Sequence, residues 1–149
     1  MKLWIPGSMK DRFKVVLDTN VLLVSISTKS KYHCIYDKLV ADKYDLFITN
    51  EILMEYEEVI SQRYSSSVAR DVIKSLLILP NVYKTSIYYN WNLIAEDTDD
   101  NKFVDCAINS NSHMLVTNDK HFKVLRNIDF PKIEVSSINN FAALLGINL

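Results

Sequence analysis

Short apolar, β-branched runs alternate along this chain with longer segments of helical period, and this alternation most constrains its fold. The first run, Phe13–Leu17, predicts a strand that ends abruptly at Asp18. Further strands are predicted at residues 45–49, 114–117 and 133–135, and residues 82–88 are predicted to be extended, with their pairing left open. Helices are predicted at about 20–27, 31–42, 51–63, 66–79, 99–110, 121–126 and 137–145. Strands alternating with helices indicate βαβ units, hence an α/β fold with a parallel sheet and helices on both faces.

The composition indicates one folded domain without a membrane segment. With 149 residues, 48% of them hydrophobic, the chain has enough apolar material for a sizeable core. No repeat or Pro/Gly-rich linker divides it, so residues 11–149 are predicted to form a single domain. Gly7-Ser8-Met9 resembles a cloning scar, and residues 1–10 are predicted to be a tag or disordered leader. No apolar run reaches the length of a signal peptide or membrane span, so we expect a soluble, cytoplasmic protein.

Two aspartates follow predicted strands closely. Asp18 comes directly after Leu17, and Asp119 lies three residues beyond Val116. Because the carboxyl ends of parallel strands meet at one edge of a sheet, where ligands bind in open α/β folds, we expect both side chains at that edge. The competing explanation for either residue is structural, since an aspartate that opens a helix also caps its N-terminus.

Asp100 is the more informative acid. Helical rotation of about 100° per residue places it within the apolar stripe of its helix, formed by Phe103, Val104, Ala107 and Ile108. A carboxylate on that face points inward, where burial costs several kcal/mol unless a cation or hydrogen bonds compensate; capping competes here too. Asp99 lies at an intermediate angle and is a candidate auxiliary ligand, whereas Asp97 and Asp105 are predicted to point elsewhere.

A fourth acid is expected on the helix at about residues 51–63. Its apolar stripe consists of Ile52, Leu53, Tyr56, Val59 and Ile60. Helical geometry puts Glu55 and Glu57 on the two opposite borders of this stripe and does not choose between them.

Clustered carboxylates of this kind predict a site for a hard divalent cation. Mg²⁺ and Mn²⁺ prefer oxygen ligands and keep several waters and substrate phosphate oxygens. His33, His113 and His121 show no paired ligand spacing, and we interpret them as surface or core-edge residues. The chain also lacks a Gly-rich phosphate loop and any supported Cys or Ser nucleophile motif. Metal-dependent phosphodiester hydrolysis is the chemistry best suited to these residues.

The same residues resemble the PIN domain family. The resemblance covers about residues 13–145 and is carried by residues 15–22, Glu55, the run 97–103 and residues 116–119. It implies a Rossmann-like α/β/α sandwich with a central parallel sheet and Mg²⁺- or Mn²⁺-dependent endoribonuclease activity on RNA. It also implies Glu55, not Glu57, as the second acid. The Asp-Asp-Asn-Lys-Phe run is similar to a bacterial subgroup of toxins from toxin–antitoxin pairs, which implies a protein antitoxin and a homodimer as partners.

Residues and resemblance together give an expected site. Its catalytic metal ligands are Asp18, Glu55, Asp100 and Asp119, with Asp18 and Asp100 in the principal roles. Supporting hydrogen bonds are expected from Thr19, Asn20, Thr117 and Asn118, with Asp99 auxiliary. Lys102 and Lys120 are candidates for phosphate contacts, although both also fit ordinary surface lysines. The formal charge of −1 means that any basic surface for RNA has to be local.

Two alternative functions are compatible with this fold. A non-catalytic PIN-like scaffold would bind RNA or protein without cleavage, although all four acids are present here. A haloacid-dehalogenase-like phosphatase would use Asp18 as nucleophile, but the second aspartate that it needs two residues later is Asn20 in this chain.

Overall fold

The strands of the protein form a parallel sheet. The computed structural model describes residues 12–95 and 97–149. Its five strands are β1 (Lys14–Leu17), β2 (Asp45–Ile48), β3 (Val82–Lys84), β4 (Met114–Val116) and β5 (Val135–Ser136). Their order is β3-β2-β1-β4-β5, and every neighbouring pair is parallel. The predicted parallel α/β architecture is confirmed, and β3 takes an edge position beside β2.

Within the described residues, six α-helices flank this sheet. They are α1 (Thr19–Ile26), α2 (His33–Val40), α3 (Asn50–Arg63), α4 (Ser66–Ile78), α5 (Asn101–Asn109) and α6 (Ile138–Leu144). Thr49 caps α3 by accepting a 3.1 Å hydrogen bond from the backbone N–H of Ile52. Thr98–Asp100 and Lys120–Asn127 are 3₁₀ segments, where the sequence predicted α-helix.

The core joins the inner strands to the faces of the helices. Val15, Val16 and Leu17 of β1 are fully buried, as expected for a strand covered on both faces. Tyr56 of α3 is fully buried too, and its hydroxyl donates a 2.5 Å hydrogen bond to the carbonyl oxygen of Leu17. This bond fastens α3 to the carboxyl end of β1, next to Asp18.

The strand order reverses between β1 and β4. β2 and β3 lie on one side of β1, whereas β4 and β5 lie on the other. In open α/β sheets such a reversal opens a crevice beyond the carboxyl ends of the two central strands, and ligands bind there. Asp18 follows β1 directly and residues 117–119 follow β4, so the topology brings these residues to one crevice.

Two further sequence predictions concern a leader at residues 1–10 and the lack of a membrane-spanning segment. The predicted leader, residues 1–10, lies outside the described residues, so the division into a leader and one domain stays a prediction. Among the described helices, none combines the length and the apolar character needed to cross a membrane.

Candidate metal centre

The hydroxyl of Thr117 holds Asp18 and Asp119 together. It donates to Oδ2 of Asp18 at 2.7 Å and accepts from the backbone N–H of Asp119 at 3.0 Å. Asp18 is buried at the start of α1, yet its carboxylate accepts no capping hydrogen bond. Burial raises the pKa of Asp18 and the nearby charge of Asp119 adds to this, although the Thr117 hydroxyl and two backbone N–H groups act in the opposite direction. Burial and the charge of Asp119 thus outweigh these hydrogen bonds, and the pKa of Asp18 stays raised.

Asp100 faces the same crevice from the start of α5. It is 9% exposed, and its Oδ2 is buried without a hydrogen-bond partner among the described residues. Its carboxylate accepts no capping hydrogen bond either. Burial, together with the negative charges of Asp97, Asp119 and Asp18, raises the pKa of Asp100 to about 6, although the ring of His121 acts in the opposite direction. A buried oxygen without a partner costs free energy, which a bound cation would recover.

His121 lies among the acids, which the sequence interpretation did not anticipate. Its side chain is 42% exposed, as expected for a surface residue, but the ring faces inward to the cluster. Nδ1 of His121 lies 3.3 Å from Oδ1 of Asp119, 3.5 Å from Oδ2 of Asp100 and 3.8 Å from Oδ2 of Asp97. Asp119 also caps the following 3₁₀ segment, since its Oδ1 accepts from the backbone N–H of His121 at 2.9 Å.

The prediction that Asp97 points away from Asp100 is wrong. Thr98–Asp100 form a 3₁₀ turn before α5 begins, with Asp97 as its cap. A 3₁₀ helix has three residues per turn, so side chains three positions apart lie on one face. Asp97 therefore shares the direction of Asp100, whereas the α-helical rotation assumed from the sequence separated them. The α-helical period does not apply to this turn.

Glu55 is held beside the cluster by two neighbours, Lys102 and Thr19. Nζ of Lys102 lies 2.6 Å from Oε1 of Glu55, and the hydroxyl of Thr19, which follows Asp18, donates to Oε2. Burial lowers the pKa of Lys102, but the hydrogen bond and charge of Glu55 outweigh it, so the pKa is raised. Glu57 is exposed. The structure thus favours Glu55 over Glu57 as the acid nearest this site, and Lys102 is engaged by it.

The other predicted residues take varied places. The Asn118 side chain accepts a 3.0 Å hydrogen bond from the backbone N–H of Ile138 and so fastens α6 to the end of β4. Asn20 and Asn118 line a cavity of about 300 Å³ together with Asp18 and Asp119. Asp99 is exposed, and its charge acts on Lys102. Lys120 is exposed and borders a second cavity, of about 340 Å³, on the side of His121. Their roles in binding stay predictions.

The residues of the crevice fit a divalent cation. Asp18 and Asp100 present buried carboxylates at the starts of α1 and α5. The oxygen of Asp100 that faces the cluster has no hydrogen-bond partner in the described part of the chain. Carboxylate oxygens are the donors that Mg²⁺ and Mn²⁺ prefer, and a bound cation would offset the mutual repulsion of the acids.

Comparison with known proteins places this crevice in a family. The sequence model of the PIN domain matches residues 14–121, a span that begins in β1 and includes every predicted acid. The chain belongs to the PIN domain family. The resemblance expected from the sequence is therefore confirmed. None of the curated proteins matches the chain.

Two solved structures share the fold of this PIN domain. One is VapBC2 from Rickettsia felis bound to a DNA fragment from their promoter, with a TM-score of 0.58 and 19% identity over 83% of this chain and 98% of that chain. The other is PAE2754 from Pyrobaculum aerophilum, with a TM-score of 0.58 and 16% identity over 97% of this chain and 95% of that chain. At these identities the likeness concerns the fold alone, and it confirms the PIN-like sandwich.

Proposed function

We propose that this PIN domain is a metal-dependent endoribonuclease that hydrolyses RNA phosphodiester bonds. The observation that carries the proposal is the convergence of Asp18, Asp100 and Asp119 at the crevice where the strand order reverses, with one Asp100 oxygen buried and unpartnered. Acids arranged in this way destabilise the fold unless they serve a ligand. Membership of the PIN domain family, whose members are generally nucleases, supports the same activity.

The proposed roles follow from how each side chain is held. Asp18 and Asp100 are the principal ligands of Mg²⁺ or Mn²⁺, and Asp119 and Glu55 support them as ligands or by orienting water. When bound, the ion supplies a lowered pKa for the attacking water and neutralises charge that develops on the phosphate. Thr117 fixes Asp18 and Asp119 relative to each other before substrate arrives, which limits the reorganisation that catalysis would otherwise require.

The two cavities beside the acids suggest how an RNA strand would lie. The cavity of about 300 Å³ carries the amide side chain of Asn20 and the apolar wall of Val24. The cavity of about 340 Å³ carries Lys120 and the apolar Leu93 and Val124. Polar edges with apolar walls suit a nucleotide on each side of the scissile phosphate. We assign Lys120 as the phosphate contact, because Lys102 is already paired with Glu55.

Cleavage of defined RNAs in Mg²⁺, in Mn²⁺ or in EDTA tests the activity. Cleavage is expected with either ion, none with EDTA, and a loss in Asp18→Asn and Asp100→Asn. Asp105→Asn is the matched control, because Asp105 is also buried on α5 but lies outside the cluster. Its Oδ1 accepts a 3.0 Å hydrogen bond from the backbone N–H of Trp91, and asparagine keeps that acceptor.

The outcomes separate the nuclease from its rivals. Equal activity in the intact protein, Asp18→Asn and the Asp105→Asn control would mean a contaminating nuclease and would remove the enzymatic claim. RNA that binds without being cut in any metal would identify a binding scaffold instead.

We also propose that the chain is the toxin of a toxin–antitoxin pair and forms a homodimer. The run 99–103 and the fold shared with a chain of the VapBC2 structure support the toxin role. Exposed apolar side chains on α3 and α4, namely Met54, Leu77 and Ile78, offer surface for a protein partner. Growth arrest on expression of the intact chain, relieved by Asp18→Asn, is expected, whereas normal growth would contradict the toxin role. Light scattering that gives a monomer mass would contradict the homodimer.

A further inference from the structure

We infer that His121 and Asp97 extend the metal site, so that it binds a transition-metal ion such as Zn²⁺ in preference to Mg²⁺. The inference rests on the proposed function for its account of Asp100 as a metal ligand. It goes further because it adds an imidazole nitrogen to a site for which the sequence predicted only carboxylate ligands. It also names the class of metal ion that this nitrogen favours.

The three side chains are already spaced for one ion. One ligand atom from each of Asp97, Asp100 and His121 lies within 4.8 Å of the other two. Metal–ligand distances of about 2.0–2.6 Å place two ligands of one ion at most about 5 Å apart. Only small side-chain adjustments are therefore needed for all three atoms to share an ion.

The carboxylate oxygens that face the ring of His121 are not those that accept the hydrogen bonds described for Asp97 and Asp100. Oδ1 of Asp97 accepts from the backbone N–H of Asp99 at 3.1 Å, and its Oδ2 is the oxygen that faces the ring of His121. Oδ2 of Asp100 is buried without a hydrogen-bond partner among the described residues, and it also faces that ring. The backbone N–H of His121 donates a hydrogen bond to Oδ1 of Asp119, which fixes the position of His121. The oxygens that face the ring are therefore available to bind a metal ion together with a ring nitrogen.

Ligand chemistry decides which ion such a set prefers. Mg²⁺ demands oxygen donors in near-ideal octahedral geometry and dehydrates reluctantly, so an imidazole adds little to its binding. Imidazole suits Zn²⁺ and the later first-row transition metals, whereas Mn²⁺, like Mg²⁺, is suited to oxygen ligands. The competing explanation is that the ring of His121 serves the acids as a counter-ion rather than as a metal ligand. A counter-ion would oppose a cation, so its removal would strengthen metal binding.

Calorimetric titration of Mg²⁺, Mn²⁺ and Zn²⁺ into the metal-free protein separates the two explanations. His121→Gln is expected to weaken Zn²⁺ binding at least about tenfold, since losing even an outer partner of a ligand costs about 10- to 100-fold. The same change should weaken Mn²⁺ binding less and leave Mg²⁺ binding within about twofold. Asp97→Asn keeps the acceptor for the backbone N–H of Asp99 and should weaken all three ions. His113→Gln is the matched control, because His113 precedes β4 at the opposite end of the sheet.

A second measurement does not depend on any variant. Imidazole NMR signals of the intact protein should show coordination at Nδ1 of His121 on addition of Zn²⁺, and those of His33 and His113 should not move. Equal losses for Mg²⁺ and Zn²⁺ in His121→Gln, tighter binding of all ions, or an unmoved Nδ1 signal would overturn the inference. These readouts use no RNA, so a failure of the nuclease proposal would show separately, as absent cleavage by a protein that binds its metal.

Discussion

Asp100→Asn is expected to stabilise the metal-free protein at neutral pH while abolishing its response to metal. Burial raises the pKa of Asp100 to about 6 from an ordinary value of 3.8. Between these values the folded protein retains a proton that the unfolded chain releases. The contribution of Asp100 to stability is therefore full below about pH 4 and is lost as the pH rises through 6. Above pH 6 the folded protein carries an ionised, buried carboxylate at a cost that asparagine avoids.

The size of this cost follows from the pKa shift. A shift of about two units at about 1.4 kcal/mol per unit gives an upper bound of about 3 kcal/mol. Solvent at the edge of the crevice reduces it, so we expect about 1–3 kcal/mol in favour of Asp100→Asn. For a chain of this size that corresponds to roughly 2–12 °C in melting temperature. With Mn²⁺ in excess the order should reverse, because only the intact site gains the free energy of binding.

Thermal or urea unfolding of both proteins in EDTA, from pH 5 to pH 8, measures the effect. The difference between the two proteins isolates Asp100, because other acids with pKa values raised by burial are common to both; these are Asp18, Asp45 and Asp105. The gap should widen as the pH rises through 6. A variant that is less stable than the intact protein at pH 8, or a gap independent of pH, would refute the claim that Asp100 is ionised at a cost.

Three further changes test how the site is held. Thr117→Val removes the hydroxyl that joins Asp18 to Asp119 and should lower the rate of RNA cleavage about 10- to 100-fold. Thr117→Ser keeps a hydroxyl and should stay largely active, whereas equal rates for both variants would show that the hydroxyl is not used. Lys102→Met removes the ion pair of Glu55 and should reduce cleavage without changing the affinity for metal at the aspartates, a split that metal titration and kinetics measure together. Tyr56→Phe removes the hydrogen bond between α3 and the end of β1 and should cost about 1 kcal/mol in urea unfolding, and an unchanged stability would show that this bond contributes nothing net.

The architecture could be predicted because the signals for it are local. β1 is a short buried strand with Val15 and Val16 at its centre, and its end at Asp18 is visible in the sequence. Once strands alternate with helices, a parallel sheet follows, and the carboxyl ends of β1 and β4 have to meet at one edge. Asp18 and Asp119 were therefore predictable as neighbours although about a hundred residues separate them. The edge position of β3 did not follow, since nothing in residues 82–88 specifies a partner strand.

The parts of the site that escaped prediction depend on geometry that helix periodicity does not describe. Asp97 caps one 3₁₀ segment and His121 lies in another, and the repeat of such segments is three residues and not 3.6. The choice of Glu55 over Glu57 is long-range, because it depends on Thr19, 36 residues away, and on Lys102, 47 residues away. Helix α3 itself contains neither Thr19 nor Lys102. The two borders of its apolar stripe, which carry Glu55 and Glu57, are therefore equivalent in the local sequence.

The negative charge of the crevice makes the binding of the metal ion and the binding of RNA depend on each other. Four aspartates converge there, and the nearby lysine at position 102 is neutralised by Glu55, so the metal-free crevice repels a phosphate backbone. A bound divalent ion offsets that repulsion and presents a positive charge at the point where the strand order reverses. On the proposed function, metal and RNA must then bind with positive coupling, each raising the affinity for the other by the same factor. This coupling explains how a chain whose formal charge is −1 could act on a polyanion without a general excess of basic residues.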